Sequence, residues 1–266
     1  MDTLPFEFCD SVISTIDNLE PLRELLSTLP DDSSHVWKAV IGDHSSNRQK
    51  KVINFDNSDP FITLEALKRI NKKHLRISSI HWSGEPLSAI SFEILKYIKP
   101  FLASVVLYMI DLNVNPTSED QERFAEHLKD ASFREIYLYH PFEALLRHQA
   151  KSKVIRQLML SGDGWSKEIQ PVIEEILLTN PIESAVIINN LEYGNDFLEK
   201  LLDVCCLKSK EKQICICIEI VEELCELRPN MQIEQAANHV TWKRDDGVLV
   251  SMDLYNYNNA VFTFSK

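Results

Sequence analysis

Seven short apolar runs recur along this chain at a nearly constant interval, and this period limits the folds open to it. Successive centres of the runs lie 27, 27, 29, 22, 29 and 29 residues apart. The runs cover residues 50–55, 77–82, 104–109, 133–140, 155–161, 184–189 and 213–218. Each has the length and composition of a strand, and a period below 30 residues predicts one strand and one crossover in each unit.

Helical patterns separate several of these runs. They cover residues 60–70, 86–98, 118–128 and 166–178. Strands that alternate with helices at so short a period favour a parallel sheet with right-handed crossovers. The 22-residue interval predicts a shortened or missing helix around residues 141–149. The fold class is therefore α/β, a curved stack of β-α repeats with strands on the concave side and helices outside.

Five strands share an apolar-x-apolar core, which alternation directs toward the helices. These pairs are Ile53 and Phe55, Ile80 and Trp82, Leu107 and Met109, Ile136 and Leu138, and Leu158 and Leu160. The residues between them then face the concave surface, together with Ser79 and Val106. We predict partner-binding roles there for His81, Tyr108, Tyr137, Tyr139, Gln157 and Met159, since tyrosine offers a large contact area and a polar group. The alternative is that the terminal segments cover this face.

The two ends of the chain depart from the repeat. Residues 4–41 predict two or three short helices, at Pro5 to Ile16, Leu19 to Leu29 and Ser34 to Ile41, followed by a polar linker from Asp43 to Lys51. Residues 239–266 contain three strand-like runs with turn signals at 246–247 and 258–259, which predict an antiparallel meander that closes the stack. The predicted domains are thus a helical module at 1–42, a repeat region at 50–238 and a C-terminal cap at 239–266.

Two resemblances arise from these patterns. The repeats resemble leucine-rich repeats of an irregular form. The N-terminal segment contains the series Leu4-Pro5-x-Glu7-Phe8, Val12-Ile13-Ser14, Ile16-Asp17, Leu22 and Val36-Trp37-Lys38. This series resembles the F-box, a short helical module that begins with a leucine-proline pair and ends near a tryptophan. This combination resembles the substrate receptors of cullin-based ubiquitin ligases and is similar to the large F-box families of nematodes.

The resemblance implies a non-enzymatic function. The helical module is expected to bind a Skp-type adaptor, the concave face to bind a protein substrate, and other subunits to transfer ubiquitin. The implied adaptor-binding residues are Leu4, Pro5, Phe8, Val12, Ile13 and Trp37. Three alternatives stay open: that these six residues only fill a helical cap, that the chain is a repeat scaffold with a decayed F-box, and that it is an enzyme with an unmarked site.

Charge and composition argue against several other classes. The formal net charge of −12 disfavours binding to nucleic acid or to an anionic membrane. The longest uncharged apolar stretch, 100–110, is too short to span a bilayer. Acidic residues at the N-terminus and the absence of a basic segment there argue against a secretory signal. Six cysteines, five of them between 205 and 225, fit a reducing compartment, the cytoplasm or nucleus, better than a disulfide scaffold.

No cofactor or metal site is predicted. The cysteines form no C-x-x-C pair, and their spacing fits buried helix and strand faces better than zinc ligands. The segment LSGDGW at 160–165 lacks the lysine and hydroxyl residue of a nucleotide-binding loop, so we interpret it as a strand-to-helix turn. The histidines fit no H-E-x-x-H motif, and no G-x-S-x-G motif exists.

Overall fold

The computed structural model describes residues 6–14, 16, 24, 27–28, 35–55, 62–84, 86–109, 117–189, 191, 193–207, 212–217, 232–236, 239–243, 249–255 and 259–265. The helices are α1 (Phe6–Ser14), α2 (His35–Asn47), α3 (Leu64–Lys68), α4 (Ala89–Ile98), α5 (Ser118–Leu128), α6 (Glu143–Gln149), α7 (Gln170–Thr179) and α8 (Asn195–Leu207). Short 3₁₀ turns at Lys99–Phe101 and Lys167–Ile169 adjoin α4 and α7.

The first seven strands follow the predicted period. They are β1 (Gln49–Phe55), β2 (Leu75–Trp82), β3 (Ala103–Met109), β4 (Ser132–Leu138), β5 (Gln157–Gly162), β6 (Ser184–Asn189) and β7 (Lys212–Cys217). Each lies within a few residues of its predicted run, and consecutive strands pair in parallel in the order of the chain. The prediction of an α/β fold with alternating strands and helices and a parallel sheet is confirmed.

The side chains predicted to point toward the helices are buried. All ten residues of the five apolar-x-apolar pairs are at most 2% exposed and belong to one continuous core with the apolar residues of the helices. Trp82 of β2 stacks on Phe124 of α5 at 4.4 Å between ring centroids and meets Phe142 edge-on at 5.8 Å. One aromatic cluster therefore joins three successive repeat units, and the helices that share this core, α3 to α8, lie on one side of the sheet.

The short 22-residue interval contains the seven-residue helix α6. Its last residue, Gln149, is fully buried and bonds the backbone at the start of β4, the strand before α6. Its Nε2 donates to the carbonyl of Ala131 at 2.8 Å, and its Oε1 accepts from the Phe133 amide at 3.4 Å. Asn180, at the end of α7, accepts from the Ile155 amide in the same way. Buried amides at helix ends thus satisfy backbone groups at the start of the strand that precedes each helix.

The prediction of a linker from Asp43 to Lys51 is wrong. Helix α2 continues to Asn47, and β1 begins at Gln49, so the segment is regular except at Arg48. The segment is polar because Asp43, His44 and Arg48 make contacts with α1 and with the turn before β2. Polar residues with buried partners can be accommodated within a helix, whereas their sequence alone is typical of a loop.

Helices α1 and α2 form a small core of their own. Its buried members are Cys9, Ile13, Val40 and Ile41, and Ile16, Val36 and Trp37 pack against it. The predicted second helix lies largely outside the described residues, as do Leu4 and Pro5.

The C-terminal strands pair only in antiparallel fashion. They are β8 (Gln232–Ala236), β9 (His239–Lys243), β10 (Leu249–Tyr255) and β11 (Asn259–Ser265). The last three lie within 239–266, where the sequence predicts three strands, and β8 lies before that segment, in the range predicted as the repeat region. The last strand, β11, lies beside β7, so the sheet order continues as β7-β11-β10-β9-β8. None of the helices within the described ranges is long and apolar enough to cross a membrane.

Candidate functional site

Four of the predicted partner-binding residues form one row across the sheet. The parallel register sets His81 of β2 opposite Tyr108 of β3, Tyr108 opposite Tyr137 of β4, and Tyr137 opposite Met159 of β5. Neighbouring strands lie about 4.8 Å apart, so residues at matched positions come into side-chain contact. We call this row, on the sheet face opposite the helices, the aromatic row.

The rings of the aromatic row stack on one another. The rings of Tyr108 and Tyr137 are nearly parallel, 9° apart, with 4.6 Å between their centroids. The ring of His81 lies 4.7 Å from that of Tyr108 at a tilt of 51°. All three side chains are half-buried. Because the ring faces cover each other, the row presents ring edges and polar groups to an approaching partner.

A second row, polar except for Val106, runs beside the aromatic row. It consists of Ser79, Val106, Glu135 and Gln157, which the register places opposite one another on β2 to β5. The Tyr137 hydroxyl lies 2.6 Å from Oε1 of Gln157 and 3.2 Å from Oε2 of Glu135. Its single proton therefore has two acceptors, and these contacts fix the orientation of the ring.

The environment of Tyr137 keeps its hydroxyl protonated. Burial raises the pKa of Tyr137 to about 12, and the neighbouring charge of Glu135 acts in the same direction. Near neutral pH this hydroxyl is therefore a hydrogen-bond donor, and it takes no part as a base. The Glu135 charge is itself compensated by Arg134, whose Nη2 lies 2.9 Å from Oε1.

Glu135 and Arg134 were not among the residues predicted for this surface. Alternation along β4 could have identified Glu135, because it lies two residues before Tyr137 and therefore on the same face of the strand. Tyr139, which was predicted, follows the end of β4 and lies half-buried at the carboxyl edge of the sheet, outside the aromatic row. The sequence thus places Tyr108 and Tyr137 on the correct face but does not show that they stack.

The predicted adaptor-binding residues have different environments. Phe8 is 50% exposed on α1, and Val12 is half-buried one turn further along. Ile13, in contrast, is 1% exposed and lies inside the α1–α2 core, and Trp37 packs against that core. Within the described part of the predicted set, Phe8, Val12 and Trp37 thus keep apolar area accessible to a partner, and Phe8 exposes the largest fraction.

The helix side of the sheet has two open grooves between α5 and α6. Their volumes are about 460 and 480 Å³. Half of the lining residues are exposed, among them Glu122, Arg147 and His148. Within the described ranges, no group of three histidine, cysteine or acidic residues is placed to hold a metal ion.

Comparison with known proteins adds no assignment. No family model matches this chain, and no curated protein matches it.

Proposed function

We propose that this chain is the substrate-recognition subunit of a cullin-type ubiquitin ligase. Its N-terminal helices bind a Skp-type adaptor, and the concave sheet face binds a protein substrate in the cytoplasm or nucleus. The chain itself carries out no chemistry in this proposal, because transfer of ubiquitin is the task of other subunits. The observation that carries the proposal is the aromatic row, an ordered set of stacked rings on the face that lies opposite the helices.

The chemistry of this face supports binding of a protein segment with few charges. Stacked tyrosines supply contact area at a low entropic cost, since their rings are already held by neighbours. The charge of Glu135 is compensated by Arg134, and the other residues of the two rows are neutral apart from the histidine. Apolar side chains and hydrogen-bonding groups of a partner therefore match the surface better than a highly charged segment does.

The adaptor interaction is supported by the exposed apolar area on α1. Phe8 and Val12 lie four residues apart on one helix, which places them on the same face. A partner that buries Phe8 removes the apolar area that this side chain exposes to water in the free chain. This geometry is suited to the docking of a helix in an apolar groove.

A second candidate is a repeat scaffold that binds a partner without a ligase adaptor. The burial of Ile13 and the packing of Trp37 favour it, since these two residues stabilise the α1–α2 core. In this case the helical module is a structural cap on the first repeat, and only the concave face recognises a protein.

Co-purification with a Skp-type adaptor separates the two candidates. The full chain would be expressed with the adaptor beside the variant Leu4→Ala/Pro5→Ala/Phe8→Ala. The matched control is Ile90→Ala, which removes an equally exposed apolar side chain, 54% accessible, from α4. The ligase proposal expects a stoichiometric complex with the wild type and the control, and its loss in the triple variant. A folded wild type that binds no adaptor contradicts the ligase proposal and favours the scaffold.

A further inference from the structure

A polar cluster joins the N-terminal helices to the first repeat. Lys73, in the turn before β2, lies 2.6 Å from Oδ2 of Asp43 on α2 and 3.6 Å from Oδ1 of Asp10 on α1. His74 lies 3.7 Å from the same oxygen of Asp43, and its ring meets that of His44 edge-on at 5.3 Å. Three separate segments of the chain thus contribute ionisable groups to one junction.

Arg48 connects the end of α1 to the beginning of the sheet. It lies between α2 and β1, and its guanidinium donates to the carbonyl oxygens of Ile13, at 2.9 Å, and Ile16. Ile13 lies in the last turn of α1 and Ile16 lies two residues beyond its end. A cation is favoured at the carboxyl end of a helix. Arg48 is therefore placed to hold α1 against the rest of the fold.

His44 is fully buried beside this contact, and the geometry assigns its protonation state. Its Nε2 lies 3.0 Å from Oδ1 of Asp10, and its Nδ1 lies 3.4 Å from Nη2 of Arg48. The carboxylate can only accept, so Nε2 carries the proton. The guanidinium can only donate, so Nδ1 must be the unprotonated acceptor. The neutral ring satisfies both neighbours at once.

We propose that His44 makes the attachment of α1 pH-sensitive. A second proton on His44 can go only to Nδ1, where it faces the Arg48 guanidinium. Two donors, both positively charged, then meet in a buried site, the hydrogen bond is lost, and Arg48 moves away from the carbonyls of α1. Neutral His44 therefore keeps α1 attached, and protonated His44 releases it. This mechanism holds for either candidate function, because it concerns the junction and not the partner.

The surrounding charges set the direction of the pH effect. Burial is the largest influence and lowers the pKa of His44 below its ordinary value of 6.5, and Arg48 and His74 act in the same direction. Asp10 opposes them, and Asp43 and Lys73 form the adjoining ion pair. The unfolded chain then binds more protons at this residue than the folded one. The stabilisation is complete above pH 6.5 and is lost as the pH falls through the folded pKa.

Hydrogen exchange on the full chain tests the proposal. Protection of residues 6–14 would be compared at pH 7.5 and 5.5, with labelling times scaled for the intrinsic exchange rate and with residues 89–98 as an internal reference. We expect protection of α1 in the wild type to fall several-fold at pH 5.5 relative to the reference. His44→Gln keeps one donor and one acceptor without a titratable group, so its protection should be equal at both pH values. His35→Gln, an exposed histidine of α2, should behave as the wild type does.

Arg48→Gln provides a second readout if His44→Gln does not fold. Without the guanidinium, α1 should be weakly protected at both pH values, and the pH dependence should disappear. The proposal is overturned if wild-type protection does not change with pH, or if His44→Gln or Arg48→Gln retains the wild-type pH dependence.

Discussion

At the scale of single residues, Gly162 is the position with the least freedom to change. It ends β5 with a φ of +85°, and a Cβ there would lie 2.5 Å from the carbonyl oxygen of Tyr139. We predict that Gly162→Ala lowers the free energy of unfolding by about 2–4 kcal/mol, from backbone strain and the clash together.

Gly164→Ala is the matched control for this prediction. Gly164 also has a positive φ, +91°, but its Cβ would be no closer than 3.7 Å to Pro141. Gly164→Ala should lower the free energy of unfolding by about 1 kcal/mol, the cost of the strained φ alone. Urea unfolding of both variants measures the difference. Equal losses would show that the neighbouring strand moves to accept the methyl group.

Tyr137 supports a prediction in alkaline solution. Because its folded pKa is about 12 and the ordinary value is 10.0, the folded state favours the protonated phenol. The stabilisation is present below pH 10 and is lost as the pH rises toward 12. Absorbance titration of phenolate should show one tyrosine that ionises with the late pKa, and this component should be missing in Tyr137→Phe. A wild type whose tyrosines all titrate near pH 10 would contradict the hydrogen-bonded geometry.

Alternation along a strand is sufficient to predict which face a residue occupies, and for this reason Tyr108 and Tyr137 were placed correctly. It does not give the register between strands. The stacking of Tyr108 on Tyr137 and the bond from Tyr137 to Gln157 depend on that register, which only the folded sheet defines. The same holds for the junction of His44 with Asp10, whose partners lie 34 residues apart.

At the scale of elements, α6 shows how a short repeat unit is stabilised. Its length leaves little helical hydrogen bonding, and Gln149 instead bonds two backbone groups at the start of β4. We predict that Gln149→Met, which keeps the volume but removes both bonds, costs about 2–4 kcal/mol by leaving a buried carbonyl and a buried amide without partners.

Gln170→Met on α7 is the control for this prediction, since that amide donates to the half-buried Glu174. Gln170→Met should lower the free energy of unfolding by less than about 0.5 kcal/mol, as is usual for changes near the surface. Thermal unfolding of the two variants gives the comparison. Similar small effects would mean that water replaces the Gln149 amide.

Helix α2 is the element whose end the sequence did not reveal. Its segment DHSSN has the composition of a loop, and the glycine before it weakens a helical assignment further. The helix continues because its polar side chains find partners on other elements. Helix α5, with a regular apolar stripe and a threonine cap at residue 117, was predicted to its last residue. The local sequence pattern therefore predicts the ends of a helix when the capping and core residues lie within or next to that helix, and it fails when the stabilising partners lie on other elements.

At the scale of the whole molecule, the period predicted the parallel stack because the same signal is repeated seven times. The position of the C-terminal strands did not follow from it. Strand β11, last in the chain, is the one that lies beside β7, while β8, next in sequence, lies at the far edge. No local pattern encodes that choice, because it depends on which strand edges remain to be paired.

This arrangement makes β11 the only described link between the parallel and antiparallel parts of the sheet. Val261 is opposite Cys215 of β7 on one side and Asp253 of β10 on the other. Whichever side its backbone N–H points to, that group faces a neighbouring strand. We predict that Val261→Pro breaks this link, since proline has no amide proton and is poorly tolerated in a central strand. Hydrogen exchange should then show a loss of protection in residues 212–217, with residues 132–138 unchanged.

Val261→Thr, which keeps the amide and the branched side chain, should preserve protection in both segments. If Val261→Pro leaves 212–217 protected, the edge of β7 is covered by other contacts, and the C-terminal strands are not what closes the stack.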